Sequence, residues 1–119
     1  MSRAKGHTVE QYALKFLKKN GLSIVTTNYH SRFGEIDIIA KDYQQLIIIE
    51  VRHRQHHHFG SSLESITLSK QRKIIQTTLY FLLENTEYQS WPIRFDVMAS
   101  DQNQKQFQWI QGAFDANIV

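Results

Sequence analysis

Apolar residues return along this chain with two periods, and the switch between them marks its elements. Val9, Tyr12, Ala13, Phe16 and Leu17 fall at i, i+3, i+4, i+7 and i+8, one face of an amphipathic helix. Thr8 with Gln11 reads as a capping box that starts this helix, and Gly21 as its stop. Glu10 lies at the border of the apolar stripe. Residues 22–29 are rich in β-branched side chains and read as a strand ending near Asn28, followed by a turn over 30–34. Residues 35–40 and 46–52 read as two more strands joined by a tight connection over 42–45. Residues 55–62, with their histidines and Gly60, read as a loop. Thr67 is suited to cap a second helix reaching about Glu84, with Ile75, Leu79, Leu82 and Leu83 on its buried side. Pro92 opens a fourth strand over 93–99, and 106–111 makes a fifth. The order α-β-β-β-α-β-β predicts an α/β fold. A meander comes first, and a helical crossover then permits parallel pairing within a mixed five-stranded sheet.

Strand alternation decides which residues share a face. In the second strand Glu35, Asp37 and Ile39 alternate with Ile36 and Ile38, and in the third Ile48, Glu50 and Arg52 alternate with Ile47, Ile49 and Val51. A two-residue turn at Tyr43–Gln44 sets Asp37 opposite Glu50, Glu35 opposite Arg52 and Ile39 opposite Ile48. Ile36 with Val51 and Ile38 with Ile49 then form the other, core-facing side. Like charges directly opposite destabilise a sheet. A hard divalent cation held by carboxylate oxygens offsets that repulsion, and it can activate water and stabilise the oxyanions of an attack on a phosphodiester. The alternative from pairing alone is a surface ion-pair network among Glu35, Asp37, Glu50 and Arg52.

Composition narrows the classes. Of 119 residues, 41% are hydrophobic and 21% charged, as in a globular protein, and no internal repeat or linker divides residues 1–119, which predicts one domain. The absence of cysteine excludes disulfides and thiolate zinc sites and fits a reducing cytoplasm. Residues 1–10 are basic but lack the apolar run of a secretory signal, and residues 46–49 are too short to cross a bilayer, so the expectation is a cytoplasmic protein without a membrane partner. Charge is uneven. Residues 1–73 hold 12 Lys/Arg against 6 Asp/Glu, and residues 74–119 hold 2 against 5. A basic front half suits a polyanionic partner. Lys70, Arg72 and Lys73, near the start of the second helix, are candidates to bind backbone phosphates.

The pattern also carries a resemblance. Gly6 and Glu10, the run Arg32-Phe-Gly-Glu-Ile-Asp37, Ile49-Glu-Val-Arg52 with Arg54, Phe59-Gly60, Lys70-Gln-Arg72, Arg94-Phe-Asp-Val97 and Ala113-Phe114 occur in the order found in the YraN family. That family resembles the PD-(D/E)xK nucleases, in particular archaeal Holliday-junction resolvases. The resemblance implies a restriction-endonuclease-like fold and a divalent-metal-dependent endonuclease that hydrolyses phosphodiester bonds, on branched DNA among other substrates. It further implies Mg²⁺ or Mn²⁺ held by Asp37, Glu50 and the carbonyl of Val51, with Glu10 as a further ligand. Arg52 would stabilise charge and Gln71 would orient water or phosphate. Arg32 and Arg54 join Lys70, Arg72 and Lys73 as nucleic-acid contacts. DNA stands ahead of RNA as the partner, and a homodimer is the implied assembly. Two departures stand out: Ile36 replaces the motif's proline, and Arg52 stands where lysine is usual. Arginine stays protonated and is a poor proton acceptor. Arg52 therefore favours a rival reading, a nucleic-acid-binding module of the same fold that does not cut. A second rival is an interaction module whose carboxylates are merely surface. His53 and His56–His58 lack the partners of a tetrahedral zinc site and read as a solvated loop. Trp91 and Trp109 read as core or edge packing rather than base-stacking platforms.

Overall fold

A computed structural model of the chain describes residues 3–53, 66–100 and 106–116, with side chains from Thr8 onward. Helix α1 spans Arg3–Lys19, so Thr8 lies inside it and the expected capping box is not its start. Arg, Ala and Lys are strong helix formers and carry the helix upstream of Thr8. Its end follows the expectation. Leu22 N–H donates to Leu17 C=O and Gly21 N–H to Lys18 C=O, both at 3.1 Å, with Gly21 at φ 92°. This Schellman closure needs a left-handed residue, which glycine supplies without strain, and it brings Leu22 against Leu17 in the core.

Strands β1 (Ser23–Ser31), β2 (Gly34–Asp42) and β3 (Gln45–His53) form the meander, helix α2 (Leu68–Glu84) and a 3₁₀ turn (Thr86–Tyr88) cross over, and β4 (Ile93–Ser100) and β5 (Phe107–Phe114) complete the sheet. The sheet order is β1-β2-β3-β4-β5; β3 and β4 are parallel and the other pairs antiparallel. This is the α/β architecture with a mixed five-stranded sheet that the order of elements predicts.

Each face of the sheet carries one helix. Ala13 and Leu17 of α1 pack with Ile38, Ala40, Ile47, Ile49 and Met98, whereas Ile74, Ile75 and Phe81 of α2 pack with Ile36, Ile39, Leu46, Ile48 and Phe95. The central strand β3 is therefore apolar on both faces, as a strand covered on both sides must be. On α2 the buried stripe is Ile74, Ile75, Thr77, Thr78 and Phe81, while Leu79 and Leu83 are 54% and 71% exposed, against the expectation that both lie inside. Two threonines occupy the face that leucines were expected to fill, with their hydroxyls satisfied. Thr78 donates to Ile74 C=O at 2.8 Å, and Thr77 meets the Ser31 hydroxyl at 2.9 Å.

The β2–β3 register is the expected one, with Asp42 opposite Gln45, Ile39 opposite Ile48 and Ile38 opposite Ile49 across a turn at Tyr43–Gln44. The expected faces need one correction. Ile36 packs with Ile39 and the α2 cluster, while Ile38 packs with the α1 cluster, so strict alternation fails at Asp37. Val51, the expected partner of Ile36, sits half-buried at the edge of the α1 cluster. The break coincides with two irregularities. Asn28 adopts φ 52° in β1 between Thr27, opposite Ile38, and Tyr29, opposite Ile36, and the β2–β3 ladder ends at Ile38 and Ile49.

Candidate metal and phosphate site

Beyond that break the side chain of Asp37 does the work of a main-chain acceptor. Val51 N–H donates to Asp37 Oδ2 at 2.8 Å, which satisfies a backbone donor the ladder has left and pins the carboxylate beside β3. Glu50 precedes Val51 and lies between two residues that pack toward α1, so it points to the α2 side. It is 8% exposed and hydrogen-bonded to the Asp37 carboxyl. Burial, then the hydrogen bond to Asp37 and the Asp37 charge, push the Glu50 carboxyl up to about 8, against a smaller opposing pull from Lys70 and Arg52. The protonated form of Glu50 is therefore favoured near neutral pH.

Over this pair opens a cavity of about 460 Å³, lined by Gly34, Glu35, Asp37, Glu50, Thr67, Ser69, Lys70, Lys73 and Ile74. The start of α2 forms one wall. Thr67 caps the helix, accepting from Lys70 N–H at 3.1 Å, and this fixes Lys70 in the first turn. From there the Lys70 ammonium reaches Glu50 Oε1 at 3.6 Å. The β1–β2 hairpin forms the opposite wall. The Ser31–Thr77 contact docks it on α2, and a Cβ added at Gly34 would meet Lys73 Cβ at 3.5 Å, ordinary van der Waals contact.

The profile of the Uncharacterised protein family UPF0102 matches residues 9–99, a span that includes every part of this cavity. A UPF0102 protein of Legionella pneumophila (strain Corby) is 44% identical over 116 residues, covering 98% of each chain. One from Alcanivorax borkumensis is 42% identical over 112 residues, covering 92% of this chain and 90% of its own. The chain belongs to the UPF0102 family. This is the YraN family that the motifs resemble.

For this UPF0102 chain the structure brings together some of the expected residues and sets others apart. Asp37, Glu50, Lys70 and Lys73 converge on the cavity. Among the described residues no three His, Asp or Glu side chains gather into a metal-sized group. Glu10, expected as a further ligand, accepts from Asn28 Nδ2 at 2.8 Å. Glu35 does not face Arg52 as expected; it pairs with His30 at 3.5 Å across the β1–β2 hairpin, because β2 has left the β3 ladder by that point. Arg52 is half-buried opposite Ala99 of β4 and acts on Glu50 through its charge. Gln71 donates to Ile66 C=O at 3.0 Å, securing the entry to α2, and it is not among the residues lining the cavity. Arg72 is exposed on α2, and Arg32 stands at the hairpin tip with its guanidinium 5.0 Å from the Phe33 ring centroid. Arg54 and His56–His58 lie outside the described residues, while His53 Nδ1 meets the Ser100 hydroxyl at 2.9 Å. Both tryptophans pack as expected. Trp109 lies edge-on to Phe16 and donates to Asp96, and Trp91 lies edge-on to Tyr88. No helix among the described residues is long and apolar enough to cross a membrane.

The contact that the sequence did not reveal is that between Lys70 and Glu50. The helix cap at Thr67 fixes where Lys70 sits on α2, but nothing in the intervening residues sets how far the helix start lies from β3.

Proposed function

We propose that this UPF0102 chain binds nucleic acid and hydrolyses phosphodiester bonds with Mg²⁺ or Mn²⁺ held at Asp37 and Glu50. The observation that carries this reading is the contact between two carboxyls, one of them buried, beneath a cavity with lysines in its wall. Hard divalent cations take carboxylate oxygens, and Mg²⁺ in particular is commonly held by one or two carboxylates with water and substrate phosphate completing its shell. The donor set here fits that chemistry. Asp37 and Glu50 would hold the ion, with the Val51 peptide, already fixed by Asp37, beside them and Glu10 as a further carboxylate candidate.

When bound, the cation supplies water activation and charge stabilisation for in-line attack at phosphorus. The chain's own residues do the rest. Asp37 orients itself through Val51 N–H, so its donor oxygens are placed before a metal arrives. Burial of Glu50 keeps bulk water from screening the charge that develops above it. Lys73 in the cavity wall, with Arg72 exposed on α2 and Arg32 exposed at the hairpin tip, would give a phosphate backbone positive contacts. DNA is the proposed partner ahead of RNA, and a homodimer the proposed assembly. Incubation with Mn²⁺ of duplex, single-stranded and four-way-junction DNA and of structured RNA tests the reading. Cleavage of at least one substrate, abolished in Asp37→Asn, is expected. Binding without cleavage by wild type on every substrate would instead assign the site to a non-cutting module. The absence of a third clustered ligand among the described residues is the observation that favours that second reading.

A further inference from the structure

We propose that Lys70 on α2, not Arg52 on β3, is the cation that meets the substrate phosphate. In the metal-free chain its ammonium lies beside Glu50 as counterion, and with a divalent cation held at the pair it would be free to meet the phosphate. The inference deepens the reading above and rests on Asp37 and Glu50 holding a divalent ion.

Three observations carry it. First, Lys70 Nζ lies 3.6 Å from Glu50 Oε1, with the Lys70 side chain 39% exposed and that of Glu50 9%. The lysine reaches from the open side of the cavity down to a buried acid. Second, Lys70 lines the cavity, whereas Arg52 is not among its lining residues and lies along β3 beside Ala99. A phosphate entering the cavity meets the ammonium before it can reach the guanidinium. Third, the placement is poor for helix stability. The first turn of α2 carries Lys70 and no acidic residue, so a cation sits at the positive end of the helix dipole. Glu50 offsets that cost. A local rule broken at a site, with its compensation in the site itself, is the pattern expected of a functional residue.

The chemistry follows from charge. A divalent cation held by the two carboxylates would take over as their counterion and leave the ammonium free to turn away. Lys70 has a flexible four-carbon stem and three donors, and it can turn to a phosphate oxygen within the same cavity. There, with the helix start around Thr67 and Ser69, it stabilises negative charge developing on phosphorus-bound oxygens. No proton transfer by Lys70 is required.

The test uses the full chain and first Mn²⁺ alone, by isothermal titration at pH 8 and low salt. Lys70→Met keeps the aliphatic stem and removes the competing charge, so Mn²⁺ should bind several-fold more tightly than to wild type, and Lys70→Arg should bind it as wild type does. The second arm measures Mn²⁺-dependent cleavage or, for substrates left intact, the Mn²⁺-dependent gain in nucleic-acid binding. Lys70→Met should lower the cleavage rate by about 10²-fold or more, or abolish the binding gain. Arg52→Met should change either by less than tenfold, and Lys70→Arg should restore part of the deficit. Unchanged or weaker Mn²⁺ affinity in Lys70→Met, with its melting curve like that of wild type, would overturn the proposal. So would cleavage at the wild-type rate, or an intact binding gain. Failure of wild type itself to take up Mn²⁺ would overturn the underlying reading, and it would be seen before any Lys70 variant is compared.

Discussion

Two aspartates in this sheet solve the same backbone problem with opposite results. Asp96 sits where the β4–β5 register shifts between Phe95 and Val97, and Asp37 sits where the β2–β3 ladder ends. Each accepts a main-chain N–H left over by the irregularity: Gly112 N–H at 3.0 Å for Asp96, Val51 N–H at 2.8 Å for Asp37. The difference lies in the company. Asp96, 1% exposed, also accepts from Arg94 Nε at 2.9 Å, Arg94 Nη2 at 2.8 Å and Trp109 Nε1 at 2.9 Å. Its charge is answered in full by the protein, and the bond to Asp96 pushes the Arg94 guanidinium further up. Asp37 faces Glu50, a second acid, and the Lys70 ammonium stands 3.6 Å from the latter. A buried carboxylate with four donors is a fastener. A buried carboxyl set against a second acid is where the proposed cation would find its ligands, and that contrast is what the proposal rests on.

The largest expected effect lies on the structural side. Asp96→Ala strands a half-buried guanidinium, an indole N–H and the Gly112 N–H together, and it should cost about 2 kcal/mol or more in urea unfolding. A change below about 1 kcal/mol would break the comparison, because Asp96 would then fasten nothing.

The functional side should show itself through pH. Glu50 is raised from the usual carboxylate range to about 8 in the folded chain, so between about pH 4.5 and 8 the folded state holds more protons than the unfolded one. Its contribution to metal-free stability is full at the acid end and is lost as pH rises through 8, at a slope of at most about 1.4 kcal/mol per pH unit. Glu50→Gln removes that term. The stability difference between Glu50→Gln and wild type should therefore move in favour of the variant with rising pH and level off above 8. Mn²⁺ would have to displace the Glu50 proton, so wild-type affinity should rise over the same window. A stability difference independent of pH would mean that Glu50 is ionised in the metal-free chain.

The smallest effect concerns two basic residues of α2. Replacing Arg72 and Lys73 with Gln should make the dependence of log affinity on log salt shallower by about one for each phosphate no longer neutralised. It should leave metal uptake unchanged, since neither approaches the carboxyl pair as Lys70 does. An unchanged slope would leave both as solvated charges.

How much of this was legible in the sequence follows the same division. The order of elements, the Tyr43–Gln44 turn and the β2–β3 register follow from local periodicity and turn length, and the structure has them. That register led to the expectation that Asp37 meets Glu50, and the two acids do meet, just beyond the last ladder pair at Ile38 and Ile49. Three features could not be read, each for a physical reason. The break of alternation at Asp37 lies beside a left-handed Asn28 in the neighbouring strand, and β-branched composition does not disclose such a residue inside a strand. The burial of Thr77 and Thr78 in place of Leu79 and Leu83 depends on the rotation of α2 over the sheet, which hydrophobicity alone misjudged. The approach of Lys70 to Glu50 depends on where a crossover sets down a helix. Asp96 was visible only as part of a motif, and its role required knowing that β5 brings Trp109 and Gly112 to it.

The central claim, that Asp37 and Glu50 form a divalent-cation site, is most directly tested by anomalous diffraction from crystals soaked in Mn²⁺, on wild type and on Asp37→Asn. Wild type should show one Mn²⁺ peak within coordination distance of an Asp37 and a Glu50 oxygen. The variant should show none there while keeping the same fold, because the amide removes both charge and a donor of the right kind. A Mn²⁺ peak elsewhere with nothing between these two side chains, or equal occupancy in the variant, would contradict the account.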